Sequence, residues 1–353
     1  MKAFFQGLRS WWGTPLVGIA GAMAATWLHW PLPWIIGSML GVILARCIGW
    51  RISEIPKGRI SGQWMIATSI GLHFTPMVLH EILQRFPMML FVAFLTLGIA
   101  LIGIGFMHRR GMDLTTAYFA FMPANFSEMI QLGIRHKADV SKIAAAHSVR
   151  LVLIVLCVPP TMFYLAHVAP NATFARLPAD WRWLAPMLLA GALVATGWKR
   201  VGWPNPWMFG PMALCAFCTA FFDLQMALPV ELSHYGQLMI GCALGVHFDR
   251  QFFRSAPTYL LKVAAFTLSM IGTTVLVAWL LSHVIDLPTY TLALGMMPGS
   301  STEMYLTADA LHLAVGLVTA MQIMRLVVVM LCAEPIHNRW VTRRSKRQQG
   351  SIE

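Results

Sequence analysis

Two short stretches of this chain carry residue types that could hold an ion or a small charged solute. Met122-Pro-Ala-Asn-Phe-Ser-Glu-Met129 contains Pro123, Asn125, Ser127 and Glu128. Met297-Pro-Gly-Ser-Ser-Thr-Glu-Met304 contains Pro298, Gly299, Ser300, Ser301, Thr302 and Glu303. A single arginine, Arg150 or Arg325, follows each stretch, about two turns into the next apolar segment. Pro123 and Pro298, Glu128 and Glu303, Arg150 and Arg325, and Cys157 and Cys332 all keep one spacing of 175 residues.

Pro and Gly open the backbone, and a helix that restarts after such a break points free N–H groups at whatever lies before it. Ser, Thr and Asn suit the cap of that helix, and a glutamate in its first turn complements the positive end. The glutamate could instead take a proton or Na⁺. An ordinary capped helix start explains one such copy. Two copies at matched places point to a site, because polar groups inside apolar segments are costly. The arginines need partners for the same reason. Glu128 and Glu303 are the natural ones, either in a structural ion pair or sharing the guanidinium with a substrate carboxylate or phosphate.

Other chemistry finds little support. His147 stands where Gln322 stands, one turn before Arg150; it could relay protons but fits a helix-packing histidine better. His73 and His247 are matched and close two apolar elements, which suits an interface more than a metal. The six cysteines lie mostly in apolar runs, and Cys215 and Cys218 read as small buried side chains. No catalytic residue, metal site or cofactor is expected, and the chain is not read as an enzyme. A GxxxxGK[ST] phosphate loop is missing, which favours gradient coupling over an ATP-driven pump.

The elements that must position these residues are apolar and repeated. The 353 residues are 58% hydrophobic and 11% charged, against roughly a quarter charged in soluble domains. The net charge of +12 sits in loops and in the tail, as cytoplasmic loops of a membrane protein would carry it, so nucleic-acid binding is not expected. Trp30-Pro-Leu-Pro-Trp34 returns as Trp203-Pro-Asn-Pro-Trp207, and Gly62-Gln63 with Gly71 returns as Gly236-Gln237 with Gly245. The opening apolar run, 15–26, matches 186–196 and so belongs to the repeat rather than to a signal peptide. Six elements are expected per half, near 12–28, 32–48, 58–75, 87–107, 112–135 and 143–165, then near 183–198, 205–222, 232–247, 259–282, 288–310 and 313–333.

Basic residues alternate between the halves. Arg46, Arg51, Lys57 and Arg59 follow the second element of the first half, while 219–233 has no Lys or Arg; Arg135, Lys137 and Lys142 face 309–316, again with none. After the first and third elements the bias reverses. Opposite orientations need an odd number of crossings per half. The fifth element, interrupted by proline and, in the first half, flanked by Arg109–Arg110 and Arg135–Lys137, is expected to be a re-entrant hairpin or a broken helix. The expected fold is an all-α polytopic membrane protein of two inverted-topology repeats, 1–174 and 175–338, with a basic cytoplasmic tail, 339–353. It would have about ten transmembrane helices and two re-entrant or broken ones.

Gly245-Val-His-Phe-Asp-Arg250, Pro298-Gly-Ser-Ser-Thr-Glu-Met304 and Met321-Gln-Ile-Met-Arg-Leu326 resemble the AbrB family of bacterial membrane proteins, defined by a duplicated membrane domain and unrelated to the small DNA-binding regulator of that name. The first copy departs from the pattern, with Ala124-Asn125 for Gly-Gly and His147 for Gln. The family has carried the labels of regulator and of ammonia monooxygenase, and it is similar to inverted-repeat cation/proton antiporters and anion transporters. The resemblance implies a bacterial inner membrane location, with both termini cytoplasmic on the charge pattern. The leading expectation is a secondary transporter of a small solute, an anion being one option, driven by H⁺ or Na⁺, with the bilayer and the small-molecule or ion substrate as partners and a homodimer allowed. A membrane-embedded regulator ranks second. A metal-dependent monooxygenase ranks last, because it needs a ligand cluster.

Overall fold

Backbone polar groups in lipid must be satisfied within the chain, and an apolar sequence of this kind does so with helices. The computed structural model describes residues 11–165 and 177–341, and every regular element among them is helical. The tail from residue 342, the first ten residues and most of the link between the halves lie outside the described residues.

The first half runs α1 (Gly13–Trp27), α2 (Pro33–Ile48), α3 (Gly58–Leu72), α4 (Pro76–Gln84), α5 (Phe86–Arg109), α6 (Leu114–Phe121), α7 (Phe126–Arg135) and α8 (Val140–Leu165). The second runs α9 (Trp181–Arg200), α10 (Pro206–Phe222), α11 (Val230–Gly245), α12 (Arg250–Ser255), α13 (Pro257–Ser282), α14 (Thr289–Met296), α15 (Ser301–Ala310) and α16 (Val315–Ile336), closed by a π-helical turn, His337–Val341. Long and short helices thus follow one another in the same order twice. Each half holds eight described helices rather than the six expected. The third element is followed by a separate short helix, α4 or α12, and the fifth is cut in two. Pro76 explains the first cut, since the residue before a proline is pushed out of helical conformation. The two Pro-x-Pro turns also fold alike, with Leu32 (φ 49°) and Asn205 (φ 44°) left-handed before a proline opens α2 or α10.

Among the described residues, four helices are long and apolar enough to cross a bilayer, at Phe86–Arg109, Val140–Leu165, Pro257–Ser282 and Val315–Arg339. The other helices that a ten-span plan would need are shorter; α1 and α3, at 15 residues each, extend about 23 Å against about 30 Å of hydrocarbon. Leu16, Met23, Leu44, Ile102, Leu193, Phe217, Leu261 and Leu331 all stand exposed on helix faces, as a membrane protein's lipid-facing side chains do.

The chain forms two compact units, and each draws on both halves of the sequence. The first comprises the chain to Leu83, Val155–Pro257 and Tyr305–Gly316. Small residues bring its backbones together. A Cβ on Gly62 would lie 2.9 Å from the Gly236 carbonyl oxygen, and one on Gly236 would lie 3.3 Å from that of Gly62. Equivalent positions thus meet each other where α3 crosses α11. Ser61 and Tyr235, one residue before each glycine, share a 2.9 Å hydrogen bond. Gly71 lies against Met212 and Cys215 of α10, and its twin Gly245 lies against Met39 and Val42 of α2. Each half's third helix therefore packs on the second helix of the other.

The second unit comprises Gln84–Ile154, Thr258–Met304 and the chain from Leu317. In it α5 and α13 run antiparallel. Gly103 abuts the Phe266 ring, and at the other end Arg85 Nη1 donates to the Asp286 carbonyl over 3.2 Å. This unit carries both proline breaks and both arginines.

Candidate functional site

Each break is a helix, a few extended residues and a second helix. Asp113 caps α6 by accepting the Thr116 amide at 2.8 Å, and α6 ends at Met122, whose ψ of 130° is what Pro123 demands of its predecessor. In the second copy α14 ends at Met297, again with ψ 130°, before Pro298. Asn125 occupies the N-cap of α7 in extended conformation but makes no side-chain cap bond. Ser300 behaves as expected of a cap, its hydroxyl accepting the Thr302 amide at 3.3 Å. Glu128 lies in the first turn of α7, half-buried, and Glu303 in the first turn of α15, 4% exposed. Gly299 is pressed against Ile154: a Cβ added there would lie only 3.0 Å from Ile154 Cγ2. The Ser127 side chain lies outside the described residues.

The first break folds back on itself. The Asp139 amide, beyond the end of α7, donates to Thr116 Oγ1 at the start of α6 over 3.1 Å. Phe119 of α6 stacks on His136 at the end of α7 with ring centroids 5.5 Å apart. A helix that continued through the break would separate Thr116 from Asp139 by more than 30 Å, about 1.5 Å per residue. The two arms are therefore a hairpin with Pro123 at its tip.

The arginines satisfy the carbonyls that the prolines leave open. Arg150 Nη1 donates to the Met122 carbonyl at 3.0 Å, and Arg325 donates to the Met297 carbonyl and, over 3.0 Å, to that of Gly299. Each cation thus sits at the negative end of the preceding half-helix, where a positive charge is favoured. The residues one turn earlier do matched work. His147 Nε2 donates to the Phe119 carbonyl at 2.9 Å, and Gln322 Nε2 donates to Leu294 and Met297 carbonyls. The expected Arg–Glu pairing is replaced by main-chain capping: the hydrogen bonds of both guanidinium groups go to carbonyls and, for Arg150, to the His147 ring. The physical reason is local. The break places bare carbonyls within reach of the arginine, and a buried carbonyl left unbonded costs about 1–3 kcal/mol.

Arg150 and Arg325 are 7% and 4% exposed, and the Nε of each has no hydrogen-bond partner among the described residues. Arg325 bonds the Gly299 carbonyl, and Gly299 packs against Ile154, one turn beyond Arg150 in α8. Pro123 and Pro298 line one narrow crevice with Thr96 and Ile99 of α5, Met270 and Thr274 of α13, and Met296.

Other polar residues noted in the sequence gain partners that their spacing does not show. In the first unit His73 Nε2 meets Asp309 Oδ1 at 3.3 Å, and its ring stands edge-on to Tyr305, whose hydroxyl is 2.6 Å from Ser69 Oγ. The Asp249 of the Gly245–Arg250 motif caps α12 through the Phe252 amide at 2.8 Å and pairs with Arg46 at 3.0 Å. Spacing alone would have found the caps. It would not have found the pairs, which join residues far apart in sequence.

The family described as "Transition state regulatory protein AbrB" matches residues 12–341. The uncharacterized protein YhjN of Bacillus subtilis (strain 168) is 20% identical over 333 residues, 86% of each chain. A protein of Escherichia coli (strain K12) described as the regulator AbrB is 22% identical over 321 residues, 88% of this chain and 90% of its own. No solved structure gives a significant match. The matched region takes in both breaks and both arginines, and the chain belongs to the AbrB family of membrane-type proteins.

Proposed function

We propose that the protein is a secondary transporter of a small anionic solute, working by alternating access around the two proline breaks. One observation carries the reading: two buried arginines, one per break, each keep an unpartnered Nε donor. Burying two like charges beside each other is costly unless a counter-charge is sometimes present. Arms of 8 and 10 residues extend about 12 and 15 Å, so a hairpin entering from either surface puts its tip near the midplane of a bilayer about 30 Å thick. The antiparallel course of α5 and α13, and the exchange of equivalent contacts between α3 and α11, support two inverted repeats. In this reading the first break is a re-entrant hairpin, H⁺ or Na⁺ supplies the driving force, and no catalysis is performed. The location is the bacterial inner membrane with cytoplasmic termini, and a homodimer is compatible with it.

The second reading, a membrane-embedded regulator, draws on the printed description of the Escherichia coli relative. Uptake and counterflow of radiolabelled lactate, succinate, citrate, phosphate and sulfate into proteoliposomes separates the two. Flux of one of them that falls at least tenfold in Arg150→Gln and Arg325→Gln is the expected result. Flux that both variants leave intact sinks the site, and an absence of flux for every anion favours the regulator.

A further inference from the structure

The two halves differ at one chemically decisive place. Gln322 of the second half cannot titrate, while its counterpart His147 can. His147 is 1% exposed. Its Nε2 is 2.9 Å from the Phe119 carbonyl, and its Nδ1 is 2.9 Å from Arg150 Nη2. A carbonyl only accepts and a guanidinium only donates, so the ring is neutral, with its proton on Nε2 and a lone pair on Nδ1 turned to Arg150. A second proton on Nδ1 would set N–H against N–H. It would free Nη2 of Arg150 from the ring while Nη1 stays on the Met122 carbonyl.

We propose that His147 is the proton-coupling residue of the transporter, taking up one proton as an anion binds at Arg150 and Arg325 and releasing it as the anion leaves. The proposal rests on the transport reading above. With the site empty, Arg150 beside the ring opposes an imidazolium. A bound carboxylate or phosphate cancels much of that field. The freed Nη2 of Arg150, together with its unused Nε, gives the anion a two-pronged fork. Anion and proton therefore assist each other, and the proton passes from water on the entry side to water on the exit side. The groups facing His147 are consistent with this exchange. From α6 there is the Phe119 carbonyl, whose ring stacks on His136 and His337 beyond it. From α7 there is the Phe126 ring, centroids 5.9 Å apart, with Glu128 in the same first turn. The twin site has no such device, because Gln322 bonds only main-chain carbonyls through its nitrogen.

The experiment compares wild type with His147→Gln, which copies the second half. Wild-type protein in proteoliposomes is screened for counterflow with lactate, succinate, citrate, phosphate and sulfate, and the transported anion is then used as probe. Wild-type uptake is expected to rise several-fold as external pH falls from about 8 to about 5, because each anion bound takes up a proton at His147. His147→Gln is expected to transport more slowly and with a flat pH profile. A pH profile in His147→Gln as steep as in wild type overturns the proposal. A second readout needs neither flux nor the variant: adding the same anions to purified wild-type protein in weakly buffered detergent, with a pH dye, should remove one proton from solution per anion bound. Binding without proton uptake overturns it as well. If none of these anions shows counterflow, the transport reading fails, and the dye measurement still decides whether anion and proton bind together.

Discussion

Replacing Arg325 with Lys keeps the buried positive charge and removes the fork. In the structure one guanidinium spans the carbonyls of Met297 and Gly299. A lysine ammonium is a compact point charge on a flexible four-carbon stem and can hold one of them. The charge, its burial cost and its repulsion by Arg150 all persist, so the change isolates one charge-assisted hydrogen bond. Such a bond contributes about 1.5–3 kcal/mol. The loss falls on the break itself, where the Gly299 amide turns back to the Met297 carbonyl at 2.8 Å. Hydrogen exchange of the Gly299–Met304 amides, read by mass spectrometry on detergent-purified protein, reports local opening there. At about 1.4 kcal/mol per tenfold, exchange in Arg325→Lys should quicken by about 10- to 150-fold, with the amides of α1 to α3 unchanged. Exchange within a factor of two of wild type at the break would refute the assignment of Arg325 as the clamp of these carbonyls, as would an equal rise throughout the chain.

Three further outcomes are expected. Thr116→Val removes the acceptor of the Asp139 amide, so it should loosen the first hairpin by about 1 kcal/mol, seen as roughly fivefold faster exchange at Asp139 and its neighbours. Single cysteines at Arg109 and Lys137 should label from the same side of the membrane, since the hairpin returns to where it starts; labelling from opposite sides counts against the re-entrant reading. Asp249 is held below the usual carboxylate range, first by the Phe252 amide and then by Arg46, with partial burial opposing them. Its contribution to stability is therefore present above the unfolded value, about 3.9, and is lost as pH falls through the folded one. Asp249→Asn should melt earlier than wild type at neutral pH and converge with it on acidification, and parallel melting curves at all pH values would rule out the capping pair.

Helix existence, the doubled order of elements and the two breaks were legible from residue types. Apolar runs must be helical in lipid, and proline denies its neighbours both a donor and a conformation wherever it stands. Pro123, Pro298, Arg150 and Arg325 could thus be singled out from the matched spacing alone, and the chain's family follows from its motifs. Partner choice was not legible. Sign complementarity pointed Arg150 and Arg325 toward Glu128 and Glu303, yet the guanidinium groups cap the carbonyls of Met122, Met297 and Gly299. Which acceptor wins depends on where a half-helix ends in space relative to the next helix, and no pattern along the chain encodes that distance. The same holds for His147, whose type permits a packing or a titrating role. Only the placement of its Nδ1 against Arg150 and its Nε2 against Phe119 gives the ring a defined proton to gain. The sequence by itself determined what kinds of groups are buried and that they are buried twice; the tertiary structure decided which lone pair faces which hydrogen, because that depends on ångström-scale positions set by packing between segments far apart in the chain.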